Sequence, residues 1–169
     1  MKKKFLEQSS KYVPYVLLAG LALLFVITRF WRITTLPSGV HIDEAGMAYD
    51  AWCLSQYGVD RYFKSYPLLL TNFGGGGQSA LCIYTTALLF RLFGFHSFLF
   101  RFTNIFFSLL TVVFGMLILR RLYPDRPYLA IAGGYLMTIL PFFILSARLG
   151  MDCHPILGTS TVFLYCFLC

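Results

Sequence analysis

Long apolar runs separated by short polar stretches set the pattern of the chain. Three of the runs are about as long as a helix that crosses a ~30 Å hydrocarbon layer, and a fourth stops after ~21 Å of helical rise. These runs are residues 12–31, 98–119, 128–147 and 156–169. The pattern predicts an all-α integral membrane protein, a polytopic helix bundle with three full spans and a truncated fourth.

Residues 32–97 are expected to form one loop outside the membrane. Within it, residues 79–93 are apolar but measure only ~22 Å as a helix, which is short of a full crossing. We therefore expect this helix to lie in the membrane interface. A second interfacial helix is predicted at about 44–57, with Asp43 as its N-cap and Gly58 ending it. The four glycines 74–77 predict a flexible loop or a close approach of backbone.

The distribution of basic residues predicts the orientation of the bundle. Lysines precede the first span and arginines follow the second, and cytoplasmic loops carry such an excess of positive charge. The residues concerned are Lys2, Lys3, Lys4, Lys11, Arg120, Arg121 and Arg126. This predicts a cytoplasmic N-terminus on a retained signal anchor, in a multi-pass protein. Asp43 and Asp152 then lie on the same outer face.

Composition agrees with a membrane protein. Hydrophobic residues make up 58% of the chain and charged residues 12%, against ~25% charged in soluble domains. The net charge of +7 is spread over chain ends and loop edges, so nucleic-acid binding is not supported. The five cysteines show no spacing with histidines that would build a zinc site.

The candidate catalytic groups are the acidic and basic side chains that are expected at the outer face. A carboxylate such as Asp43 can take a proton from an attacking hydroxyl or amine, and Arg148 can hold a phosphate leaving group bidentately. Asp43, Asp152 and His154 each also have a purely structural interpretation. Asp43 can cap its helix, Asp152 can pair with Arg148 four residues earlier, and His154 is more typical of a loop cap than of a base.

Other polar and aromatic residues of the outer loop also have two interpretations. The ordinary role of Arg61 and Lys64 at a membrane surface is contact with lipid headgroups. Tyr49, Trp52 and Tyr57 at helical spacing are more typical of interfacial packing than of a sugar platform.

The motifs in this order resemble those of the membrane C-type (GT-C) glycosyltransferases. The similarity is to bacterial polyprenyl-phosphate-sugar transferases like the protein O-mannosyltransferases and the lipid A aminoarabinose transferase. The segments that carry it are Leu36-Pro37-Ser38-Gly39-Val40-His41-Ile42-Asp43-Glu44-Ala45, Tyr49-Asp50-Ala51, Gly75-Gly76-Gly77-Gln78-Ser79-Ala80-Leu81-Cys82-Ile83-Tyr84, Leu92-Phe93-Gly94, Phe100-Arg101-Phe102, and Pro141 with Ser146-Ala147-Arg148.

The resemblance implies a fold and a reaction. The chain would be the N-terminal part of a GT-C transmembrane module with two interfacial helices in its first outer loop. The reaction would be inverting transfer of a sugar from a polyprenyl-phosphate carrier to a lipid, glycan or protein acceptor outside the cytoplasm, in a bacterial plasma membrane. Asp43 would activate the acceptor and Asp152 would assist as the second catalytic acid. The expected substrate-binding residues are Glu44, Tyr49, Lys64, Gln78 and Arg148.

Two points depart from the family. Many relatives have Lys-Pro-Pro where this chain has Gln78-Ser79-Ala80, so the lysine that contacts the carrier phosphate is absent, and Lys64, Arg61 or Arg148 could substitute for it. Family members are also several hundred residues long. A non-catalytic membrane scaffold, or a remnant that binds lipid or a partner, is therefore the alternative. No metal ligands are predicted, and a divalent cation stays open because a lone Asp-Glu pair does not supply enough oxygens.

Overall fold

The protein, seen here in a computed structural model, is mostly helical. The structure describes residues 2–169, and it describes the side chains of all of these except 2–11 and 153. Its helices are α1 (Lys2–Phe30), α2 (Ile42–Tyr57), α3 (Ala80–Phe93), α4 (Ser97–Leu122), α5 (Pro127–Ile139), α6 (Pro141–Arg148) and α7 (Cys153–Leu168). Two short strands, β1 (Leu70–Thr71) and β2 (Gly77–Gln78), pair antiparallel.

Two of the described helices are long and apolar enough to cross a membrane. They are residues 12–30 of α1 and the whole of α4. A third crossing results if α5 and α6 count as one bent span, whereas α3 and α7 are shorter apolar helices. The predicted all-α fold is therefore confirmed, and the two long apolar helices are compatible with a membrane bundle.

Residues 31–41, between α1 and α2, lie at one end of the bundle, which we call the loop end. Arg148, at the end of α6, donates to the carbonyl oxygens of Thr28 and Trp31 at the end of α1. Arg101, near the start of α4, donates to Ile33 O and Gly39 O in the following segment. Helices α1 and α6 thus end, and α4 starts, at the loop end.

The span predicted over 128–147 is broken at Leu140, where α5 and α6 meet at 58°. Pro141 has no N–H to bond the carbonyl of Met137 four residues earlier, so that oxygen needs another donor. Arg29, which is completely buried, supplies it: its guanidinium donates to Met137 O at 3.3 Å and to Thr138 O at 2.5 Å. The sequence predicts one continuous span over 128–147, so the bend is a finding of the structure.

Helices α4 and α7 run in the same direction and pack closely. Phe114 contacts Tyr165 with ring centroids 5.5 Å apart, and Gly150, just before α7, lies against Phe100. At Gly158 a Cβ would stand only 2.7 Å from the backbone oxygen of Phe107. Small residues at helix interfaces allow such close approach of two backbones in membrane proteins.

Gly158→Ala is expected to be less stable than the matched variant Gly133→Ala by about 1–3 kcal/mol, the usual cost of overpacking. The new Cβ at position 158 meets backbone, whereas at 133 it meets only the terminal Cδ1 of Leu119, which can rotate away. Unfolding of the two variants in detergent measures the difference. Equal stability would show that α7 can shift from α4 without cost.

The glycine run forms the tip of a short hairpin, which corrects the prediction of a loop without regular structure. Gly77 belongs to β2 and pairs with Thr71. The tip is closed by Asn72, whose N–H donates to Gly76 O at 2.8 Å and whose side chain accepts from Gly74 N. The hairpin places Gln78 beside the first turn of α2.

Candidate functional site

The two predicted catalytic acids line one small pocket at the loop end. The pocket has a volume of about 80 Å³, and its lining residues are Asp43, Met47, Asn72, Gly77, Gln78, Met151 and Asp152. Asp43 comes from the first turn of α2, Asp152 directly precedes α7, and Gln78 ends the hairpin. Three segments that are far apart in sequence therefore bring two carboxylates and an amide together.

Asp43 does not cap α2, which corrects the N-cap prediction. The cap is His41, whose Nδ1 accepts from the backbone N–H of Asp43 at 3.2 Å, and Glu44 completes a capping box by accepting from His41 N. The C-terminal end at Gly58, in left-handed conformation with φ of 69°, is as predicted. The carboxylate of Asp43 is thus left available for other contacts.

The surroundings of Asp43 suit a group that accepts a proton. Its side chain is 37% exposed, and the nearest ring nitrogen is His41 Nδ1, at 3.5 Å from Oδ2. No ion pair of Asp43 with an arginine or lysine occurs among the described residues. The sequence alone does not predict a role for His41, because a histidine before a helix is not by itself a functional signal.

Asp152 has no cation beside it among the described residues. Its expected structural partner, Arg148, is buried and directs its guanidinium away, to the carbonyl oxygens of Thr28, Trp31 and Leu36. The alternative of an Asp152–Arg148 pair is therefore not observed, and Asp152 makes no side-chain capping bond to α7. Arg148 joins α6 to α1 instead of facing the pocket with Asp152.

Glu44, expected to bind substrate, lies in a buried ion pair. Its Oε1 accepts from Arg101 Nε at 2.8 Å, and both side chains are 3% exposed. Arg101 also donates to the carbonyls of Ile33, Pro37 and Gly39. The pair therefore holds the segment between α1 and α2 against the start of α4, directly beside Asp43.

A second buried ion pair lies on the hairpin side of the pocket. Arg61 donates to both carboxylate oxygens of Asp50, with Nε at 2.9 Å from each. This hydrogen bonding raises the pKa of Arg61 above its ordinary value. The guanidinium also stacks on Phe73, 4.3 Å from the ring centroid, and donates to Gln78 Oε1 at 3.3 Å. Arg61 is thus not a free headgroup contact.

Two hydrogen-bond donors of this cluster have no partner. Arg61 Nη1 and Gln78 Nε2 are both buried and make no hydrogen bond in the described structure. Buried donors are nearly always satisfied in proteins, so these two N–H groups are available to an additional acceptor. Gln78 lines the pocket together with the two aspartates.

An apolar groove runs along the other side of α2. It encloses about 400 Å³ and is lined by Val40, Glu44, Ala45, Ala48, Tyr49, Trp52, Phe90, Phe95, Ser97 and Phe100. Tyr49, an expected substrate-binding residue, stacks on Trp52 with centroids 6.0 Å apart. Its mostly apolar lining suits an apolar ligand, and Glu44, the residue after Asp43, is part of that lining.

The remaining candidates lie apart from the pocket. Lys64 is exposed in the loop between α2 and β1, and does not line the pocket. His154, considered as a loop cap, lies inside α7, where it is completely buried and bonded through Nε2 to Ser146 Oγ at 2.8 Å. No cluster of three histidine, cysteine or carboxylate side chains suited to a metal ion occurs in the described part of the chain.

Comparisons of this chain with protein-family models, with curated proteins and with solved structures found no match. The case for a function therefore rests on the residues and their geometry.

Proposed function

We propose that this protein is a membrane glycosyltransferase of the C type, which transfers a sugar from a polyprenyl-phosphate carrier to an acceptor outside the cytoplasm with inversion. The observation that carries the proposal is the shared pocket of Asp43 and Asp152, next to an apolar groove at one end of a membrane bundle. The proposed setting is a bacterial plasma membrane with the N-terminus in the cytoplasm.

Asp43 is the proposed base. Its carboxylate takes the proton of the acceptor hydroxyl or amine as that atom attacks the anomeric carbon of the sugar. The new bond joins the acceptor to the anomeric carbon, the bond from that carbon to the phosphate oxygen breaks, and polyprenyl phosphate leaves with the electron pair. Asp152, in the same pocket, binds the acceptor through a second hydrogen bond.

The phosphate is proposed to bind the vacant donors of Arg61 and Gln78. Arg148 and Arg101 are already bonded to backbone carbonyls and Glu44, whereas Arg61 donates to Gln78, which lines the pocket. Arg61 keeps a free Nη1 and Gln78 a free Nε2, and anions bind well to such N–H donors on a guanidinium. The isoprenoid chain would lie in the groove beside Tyr49 and Trp52.

Gln78→Leu is expected to weaken donor binding, raising the apparent KM for the polyprenyl-phosphate sugar roughly 10–150-fold, since a hydrogen bond to a charged group contributes ~1.5–3 kcal/mol and ~1.4 kcal/mol corresponds to tenfold. Gln78→Lys restores the cation of the related enzymes and should lower that KM below the wild-type value. Steady-state kinetics with varied donor separates the two. A KM unchanged in both variants would place the phosphate elsewhere.

A non-catalytic role in the membrane is the second candidate. It is favoured by the use of Glu44, Arg101 and Arg148 in purely structural contacts, which leaves few charged groups for chemistry. A scaffold would keep the same ion pairs and bind lipid without turnover.

A turnover assay decides between them. The full chain is reconstituted in liposomes with radiolabelled polyprenyl-phosphate sugars and a panel of lipid, glycan and peptide acceptors. We expect radiolabel on an acceptor, and an unchanged rate for Asp125→Asn, an exposed carboxylate in the turn between α4 and α5. Donor binding without transfer to any acceptor would favour the scaffold.

A further inference from the structure

The segment of residues 62–69, between α2 and β1, exposes unusually large apolar side chains, and we call it the aromatic loop. Phe63, Leu68 and Leu69 are 87%, 83% and 86% exposed, and Tyr62 and Tyr66 are also exposed. Scattered apolar residues on a surface need no explanation, but a contiguous patch of them indicates an interaction site.

Hydrogen bonds hold the aromatic loop in this shape. The carboxylate of Asp60 accepts from the backbone N–H of Tyr62 at 2.9 Å and of Lys64 at 2.8 Å, and Asp60 N donates back to Lys64 O. Phe63 and Tyr66 adopt positive φ angles of 62° and 42°, which is costly for such residues and persists only where the surroundings impose it. The outward direction of the apolar side chains is therefore built into the fold.

The aromatic loop is continuous with an apolar face of α3. Tyr84 donates its hydroxyl to Pro67 O at 3.0 Å, so α3 is joined to the loop beside Leu68. Leu81 and Leu88, three residues before and four after Tyr84, are exposed on the same side of the helix. Together the loop and this helix face form one apolar surface.

The charge of this surface is positive. Residues 61–93 contain no aspartate or glutamate, and the nearest acid, Asp60, is buried against the backbone. Lys64 and Arg91 are exposed and form no ion pair in the described structure. Tyrosines, apolar tips and an uncompensated lysine are the combination that suits the boundary between lipid headgroups and acyl chains.

We propose that the aromatic loop inserts into the headgroup region of the bilayer that surrounds the bundle, with Phe63, Leu68 and Leu69 below the phosphates and Lys64 paired with an anionic phospholipid. Residues 12–30 of α1 and the whole of α4 have the length and composition to cross that bilayer. The inference does not rest on sugar transfer. It assigns the loop a separate role, which is to fix the height of α3 and the hairpin at the membrane surface.

A nitroxide label on Leu69→Cys tests the insertion. The label is read in liposomes of phosphatidylcholine with phosphatidylglycerol, with Cys153, Cys166 and Cys169 replaced by alanine and the buried Cys53 and Cys82 kept. The matched control is Gly76→Cys, where an added Cβ meets nothing within 4 Å. We expect collisions with oxygen but a loss of collisions with a water-soluble nickel chelate at position 69, and free collisions with the chelate at position 76.

Two results would overturn the insertion. Equal collision with the chelate at both positions would place the loop in water, and shielding of position 69 from both reagents would place it against protein. The lysine is tested separately. With Lys64 present, the label at position 69 should lie deeper when phosphatidylglycerol is added to phosphatidylcholine, and Lys64→Gln should abolish this increase in depth. An increase that persists in Lys64→Gln would contradict the headgroup contact.

Discussion

Asp43→Asn is expected to lower sugar transfer by about 10²–10⁴-fold, the usual contribution of a positioned general base. Asparagine keeps the size of the side chain and the backbone N–H that donates to His41 Nδ1, so the cap of α2 is preserved. It cannot take a proton from the acceptor. The loss should therefore fall on kcat, with little change in the KM for the donor.

The control for this change is Asp125→Asn in the same assay. Asp125 is exposed in the turn between α4 and α5 and is remote in the fold from the residues that line the pocket. Equal reconstitution of both variants into liposomes, and equal thermal unfolding, show that the bundle is intact. Activity of Asp43→Asn within a few-fold of Asp125→Asn would remove Asp43 from the mechanism.

The helices and their lengths could be predicted from the sequence because they depend on local properties. The run Ser97–Leu122 contains no proline and only one glycine, so nothing in it breaks the helix, and Gly58 ends α2 because it adopts a left-handed conformation there. The same pattern, with a short α3 that is not expected to cross, predicted both acids at one end of the bundle, and Asp43 and Asp152 line the same pocket.

The partners of the buried arginines could not be predicted in this way. Arg148 was expected to bind phosphate because a cation at the end of a span normally faces water or headgroups. Its acceptors are the carbonyl oxygens of Thr28 in α1 and of Trp31 and Leu36 in the segment after it, more than 110 residues away in sequence. Backbone carbonyls are present at every residue, so no local pattern marks the ones that a distant arginine will use.

The break at Leu140 shows the same limit. Pro141 marks a helix that lacks one hydrogen bond, but the size of the bend depends on what satisfies the released carbonyls. Arg29 does so from α1. In the sequence Arg29 is simply the last basic residue of the first span.

Arg101→Met is expected to destabilise the protein by about 3–5 kcal/mol, the cost of removing one partner of a buried ion pair. Methionine fills much of the space but leaves the carboxylate of Glu44 buried without a cation. It also removes the donor to Ile33 O and Gly39 O, which releases the segment between α1 and α2. Unfolding of the chain in bicelles measures the loss.

A double-mutant cycle assigns this effect to the pair. Arg101→Met combined with Glu44→Gln should recover part of the lost stability, because no net charge then stays buried, although the carbonyls remain without their donor. Arg91→Met, an exposed arginine on α3 without an ion pair, should change stability by no more than ~0.5 kcal/mol. If Arg101→Met reduced stability no more than Arg91→Met does, the segment beside Asp43 would be held by contacts other than this ion pair.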